Sequence, residues 1–199
     1  LQLEKLREGM FFVAGELFNL QFTQVNDVPV FHPDVRVFKV TDKTSGDLVG
    51  LWYFDPYARE GKRSGAWMNA YRDQERLSGN ITTIVSNNCN FIKGKENEPV
   101  LISFDDATTL FHEFGHALHG LKSNVTYPSL SGTSVATDYV EFPSQLLERW
   151  FTTPEVMKKY ALHYKTGEPI PQALIDKIQN SSKFNKGFEN VEYLSSALV

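Results

Sequence analysis

The chain has 199 residues, enough for one good-sized core or two small ones. Hydrophobic residues make up 41% and charged residues 22%, and the formal charge of −4 is spread with mixed signs, so no basic stripe offers itself to nucleic acid. Cys89 is the only cysteine, which excludes an intrachain disulfide and suits a reducing, cytoplasmic setting. No apolar run approaches a bilayer span, and no signal peptide is visible.

In chain order, the first twenty residues read as a helix, because Leu3, Leu6, Met10, Val13 and Leu17 recur at helical spacing. From Val35 the period changes. VRVFKV and LVGLWYF are strand-like runs joined by the turn-rich TDKTSGD, a hairpin with a medium-length loop. GAWMNAYR, TTIVSNN and PVLISF read as three more strands. Past Ser134 the pattern is helical again. Pro154, with Thr153 as a cap, opens TTPEVMKKYALHY, and Pro171 opens IPQALIDKIQNSSKF in the same way. FENVEYLSSALV closes the chain as a helix with no capping residue, and both ends have the look of cuts in a longer polypeptide. The expected organisation is α+β: a helical lead-in over 1–34, a small sheet over 35–104, two central helices over 105–150 and further helices over 151–199.

The chemistry concentrates in FDDATTLFHEFGHALHGLK. Ser103 and Asp106 have capping-box spacing, and Asp105 is a second candidate cap. Leu110, Phe111, Phe114, Leu118 and Leu121 fall on one helical face, and Gly120 is placed to end the helix or its last regular turn. His112 and His116 are four apart, so both imidazoles leave a different side of that helix, one turn above the other. Two neutral imidazoles so placed are a common pair of zinc ligands. Glu113 stands beside the first, where its carboxylate can reach a water on the metal and take its proton without binding the metal itself.

A catalytic zinc site asks for a third protein ligand. A histidine six residues past the second is excluded, because Lys122 stands there. His119 shares the face of His112 and His116, but three ligands from one straight helix do not easily surround an ion, so His119 reads as a supporting or packing residue. The other source is a carboxylate from TDYVEFPSQLLERW, where Glu141 lies 25 residues after His116. Glu148, on the same side if that segment is helical, can accept a hydrogen bond from the far nitrogen of a ligating histidine. Pro143 disfavours helix at Phe142, so a kink or a late helix start is expected there.

FDDATTLFHEFGHALHG, YPSLSGTSV and DYVEFPSQLLE resemble the thimet-oligopeptidase-like zinc peptidases, with greatest similarity to the bacterial peptidyl-dipeptidases within that group. HPDVRVFKV, GAWMNAYRDQ and KFNKGFENVEYLSSAL resemble them too, so the likeness covers nearly the whole chain. The resemblance implies a gluzincin-type zincin core, a small sheet followed by mainly helical structure, within a larger, mostly α-helical monomer. It implies one zinc held by His112, His116 and Glu141, with Glu113 as base and acid. It also implies short-peptide substrates, and an edge strand at Gly65, Ala66 and Trp67 on which a substrate adds. Family members carry oxyanion-stabilising tyrosines on a later glycine-rich loop, a role that does not transfer to Tyr193, so the chain alone is expected to be weak or inactive. Dipeptide release, endo-acting cleavage and a non-catalytic zinc- or peptide-binding module remain the readings to separate.

Overall fold

The computed structural model describes residues 1–95 and 98–199. Helix α1 (Leu3–Phe18) ends at Asn19, whose left-handed φ of 58° turns the chain straight into strand β1 (Leu20–Val25). The lead-in over 1–34 is therefore not helical throughout. Its second part is a strand that turns Leu20 and Phe22 inward between exposed Gln21 and Thr23, a weak period that the helix ahead of it obscures. Strands β2 (Arg36–Asp42) and β3 (Leu48–Tyr57) form the expected hairpin, closed by Asp42 N–H to Asp47 O and by the Asp42 carboxylate accepting from Thr44 and Ser45 N–H. Strand β4 (Trp67–Arg72) and strand β5 (Thr83–Phe91) complete a five-stranded sheet in the order β1-β2-β3-β5-β4. β5 runs parallel to β3 and antiparallel to β4, which leaves β4 at the sheet edge with one side unpaired.

PVLISF is not a fifth strand. Only Leu101 bridges to Gln2, while Leu1 and Leu3 share backbone hydrogen bonds with Ile102 and Val100. The end of the run is claimed by helix α2 (Phe104–Leu121), which Ser103 and Asp106 open with both halves of a capping box. Asp105 adds negative charge to the first turn but makes no cap. Gly120 lies in the last turn of α2, which runs on to Leu121; a Cβ there would stand 2.9 Å from Val85 Cγ1, so this glycine also serves the close packing of helix on sheet.

One face of the sheet is covered by α1 and α2. Phe38, Trp52, Phe54, Val85 and Cys89 meet Leu6, Met10, Leu110, Phe111 and Phe114 in a single core. Phe114 and Trp52 are wholly buried with ring centroids 5.3 Å apart, each contributing about 1.5–3 kcal/mol of burial. Helix α3 (Thr137–Phe151) packs along α2 through Leu147 and Phe151. It begins six residues before Pro143 and runs through it, so the proline neither delays the start nor ends the helix. Helix α4 (Pro154–Tyr160) returns against α1, with Pro154 in its first turn; the Thr153 hydroxyl donates back to Trp150 O instead of capping. Helices α5 (Gln172–Ser181) and α6 (Lys186–Ala197) follow, and α6 packs against no other helix or strand. No helix among the described residues is long and apolar enough to cross a membrane.

Cys89 is 1% exposed, and burial above all, with help from the Glu113 charge, pushes its thiol up to about 12. A disulfide reagent added to the folded chain near neutral pH will therefore leave Cys89 unmodified. Its reaction will track unfolding by denaturant; fast modification of the folded chain contradicts this packing.

Candidate metal centre

α2 supplies His112, Glu113 and His116, and α3 supplies Glu141 and Glu148. The two helices meet where neither has a side chain to hold them apart. A Cβ built on Gly115 would stand 2.5 Å from Ser144 Cα and 2.9 Å from Pro143 O, closer than real contacts allow. Glycine between the two histidines lets the backbone of α3 lie directly on α2. That approach carries Glu141, three residues before Ser144, up to the imidazoles.

Glu141 Oε2 lies 3.1 Å from His112 Nε2 and 3.2 Å from His116 Nε2. The Ser144 hydroxyl, itself buried, donates to the same carboxylate oxygen at 2.8 Å. Glu148 Oε1 meets His112 Nδ1 at 2.5 Å, as the sequence pattern anticipates. His112, His116 and Glu141 form a group whose ligand atoms all lie within 4.8 Å of one another. Ligands about 2.0–2.1 Å from a tetrahedral ion stand roughly 3.3 Å apart, close to the 3.1 and 3.2 Å between Glu141 and the two histidines.

The donor chemistry also fits a cation. With Nδ1–H donated to Glu148, His112 presents the lone pair of Nε2 to the cluster. That lone pair and the Glu141 carboxylate are both acceptors, and two acceptors facing each other need positive charge between them. Burial lowers the pKa of His116, and so favours the neutral imidazole that can ligate. At Glu141 desolvation pushes the pKa up, but the Ser144 hydroxyl and the two histidines outweigh it and hold the carboxyl below its usual range. The residues present therefore fit a divalent metal held by two imidazoles and one carboxylate.

Glu113 is not one of the three ligands, and it is 8% exposed. Burial is the main cause that raises its pKa; His112 and the Met68 main-chain N–H pull it down, while Glu141 pushes it further up. Because Met68 lies in β4, the same carboxylate faces both the metal cluster and the edge strand.

Two expectations need correction. His119 supports none of the ligands: it makes no hydrogen bond to the cluster, its Nδ1 is buried without a partner, and its ring faces Tyr139 at 6.1 Å. One turn further along α2, it has rotated into a groove beside Phe142 and Leu146 and acts in packing. Gly65 and Ala66 precede the edge strand, which starts at Trp67. Gly65, with φ +85°, ends the approach loop, and Asn90 holds its carbonyl at 2.8 Å. Tyr193 is 75% exposed on α6, away from the site.

Sequence reasoning passed over Gly115, and placed Ser144 on the side of Glu141 and Glu148 without giving it a role. The signal was available in the small residues of HEFGH and EFPSQ, which are suited to a close helix crossing.

Comparison with known proteins places the chain among peptidases. The profile described as peptidase family M3 matches residues 1–199. The chain is 46% identical over 194 residues to the dipeptidyl carboxypeptidase of Escherichia coli, covering 98% of this chain and 28% of that protein. It is 41% identical over 177 residues to oligopeptidase A of the same organism, covering 87% of this chain and 26% of the relative. It is 33% identical over 196 residues to the mitochondrial intermediate peptidase of Arabidopsis thaliana, covering 96% of this chain and 28% of the relative. The chain thus spans less than a third of the length of these curated relatives.

Gly115→Ala will force α3 off α2 and move Glu141 from the imidazoles, at an overpacking cost of about 1–3 kcal/mol. Chelator competition will show metal affinity reduced about tenfold or more in the folded variant. Undiminished affinity would mean that this crossing does not set the ligand geometry.

Proposed function

The chain belongs to peptidase family M3, and from that premise we propose that it carries the zinc-binding and proton-transfer apparatus of a peptidase that removes C-terminal dipeptides from short peptides. The observation that supports this most strongly is the convergence of His112, His116 and Glu141 on one point, with Glu113 between them and a free sheet edge. Two imidazoles and a carboxylate suit zinc, and an adjacent unligated acid suits a catalytic site better than a closed structural one.

Bound zinc would supply a Lewis acid that makes water a better nucleophile and the scissile carbonyl a better electrophile. The chain's own residues do the rest. His112, His116 and Glu141 hold the ion, and Glu148 fixes the His112 ring through Nδ1. Glu113 takes the proton of the attacking water and returns it to the nitrogen of the leaving amine. Burial raises its affinity for a proton, which helps it carry one between those two events.

A peptide would pair with the open side of β4, from Trp67 onward, and so lie beside the Glu113 carboxylate. Recognition through main-chain hydrogen bonds suits substrates of varied sequence. Dipeptide release rests on the likeness to a dipeptidyl carboxypeptidase. The likeness to oligopeptidase A favours endo-acting cleavage as a second reading. Mass spectra of the products from one peptide with a free and with an amidated C-terminus distinguish them. Loss of cleavage on amidation supports dipeptide release, and unchanged internal cleavage supports the second reading.

Glu113→Gln keeps the shape of the side chain and removes its basicity. Turnover of a fluorogenic short peptide by the zinc-loaded chain will fall on the order of a hundredfold or more, at unchanged bound zinc. Equal rates in the two proteins, both above the zinc-free background, would remove Glu113 from the chemistry.

A further inference from the structure

Asn87 takes no part in the hydrolysis outlined above, yet it touches the residue at its centre. It lies on the inward face of β5 and is fully buried. Its Nδ2–H donates to the main-chain oxygen of Glu113 at 2.6 Å, and its Oδ1 accepts the indole N–H of Trp52 at 2.7 Å. The indole can only donate, so it dictates which end of the Asn87 amide faces it and turns the NH2 toward α2. Trp52 is in turn fixed by its ring contacts with Phe54 and Phe114, at centroid distances of 5.0 and 5.3 Å.

Packing alone does not ask for asparagine here. A leucine would fill a similar volume, and a buried amide costs free energy unless both its ends are satisfied. The apolar contacts between α2 and the sheet set their spacing, but burial is non-directional and leaves rotation and sliding of the helix poorly defined. A hydrogen bond to a mid-helix carbonyl is directional and defines both. The register adds a second constraint. Asn87 is the ladder partner of Met68, whose main-chain N–H approaches the Glu113 carboxylate. Glu113 thus meets two paired residues of the sheet: its main-chain oxygen accepts from Asn87, and its carboxylate lies near the main chain of Met68.

We infer that Asn87 is a positioning residue: through the Glu113 main chain it sets where the Glu113 carboxylate stands between the metal cluster and the edge strand, and Trp52 sets the orientation of Asn87. The consequence for rate rests on the proposed role of Glu113 as proton carrier; the frame itself does not.

The test uses the 199-residue chain with Asn87→Leu, Trp52→Phe and the double variant, in which both partners are apolar and no buried donor is left unpaired. Amide hydrogen exchange reads the frame without turnover. Protection at Met68 and at Ala117, whose N–H meets the Glu113 carbonyl in the helix, will fall about tenfold, while Leu110 and Val40 keep theirs. Turnover of a fluorogenic peptide by the zinc-loaded variants will show kcat lowered by about ten- to a hundredfold, with KM and bound zinc unchanged. Asn87→Leu will have no further effect on the Glu113→Gln background, because both changes act through one group. Uniform loss of protection, a rise in KM at unchanged kcat, or an additive effect on that background would overturn the inference. If the parent chain hydrolyses nothing, as its missing oxyanion donors allow, hydrogen exchange alone decides: the local pattern supports the positioning of the Glu113 main chain by Asn87, and its absence overturns it, whatever the role of Glu113.

Discussion

The contact of Gly115 with Ser144 is the constraint on which the site depends. Two helices normally stand 8–10 Å apart, at a distance set by the side chains between them. Here a glycine faces the backbone of a serine, and an added methyl group would overlap Ser144 Cα. The close approach decides that Glu141, on α3, can share a point in space with two histidines on α2. The histidine pair needs only helical periodicity; the third ligand needs tertiary structure, and this crossing supplies it.

The remainder of the fold serves that crossing. α2 is anchored below by Leu110, Phe111 and Phe114 in the core, so its opposite face is free to carry chemistry. The sheet brings β4 to its edge because β5 inserts between β3 and β4, and the edge stands beside Glu113. Charge is arranged on the same plan. Glu148 pulls on the outer nitrogen of His112 and so turns a lone pair inward, while burial keeps His116 neutral. In one site Glu141 is thereby favoured as a carboxylate while burial pushes Glu113 toward holding a proton, as a site for both binding and proton transfer requires.

Local signals carried much of this in the sequence. The capping box of Ser103 and Asp106, the apolar face of α2 and the four-residue spacing of His112 and His116 depend on neighbours in the chain, and each is realised. Glu148 was readable because it follows Glu141 at helical spacing. What failed was non-local. PVLISF has a strand-like composition, but its backbone pairs with the first residues of the chain and its last residues belong to the helix cap. β1 hid behind α1, although Asn19, a residue that tolerates left-handed φ, marked the break. His119 could be read only as supporting or packing, because the apolar groove into which one more turn of helix points it is built with residues of α3. Asn87 carries no sequence signal of its own, since it matters only through what tertiary structure places against it, and the small residues around Gly115 hint at a close crossing without saying what crosses.

The central claim is that His112, His116 and Glu141 bind one metal ion, and metal content measures it most directly. The chain and its Glu141→Gln variant would be purified side by side, dialysed against trace zinc and assayed for bound metal. The account predicts close to one zinc per chain, lost or greatly weakened in the variant while both remain folded. A chain that binds none, or a variant that binds as well as its parent, would contradict it.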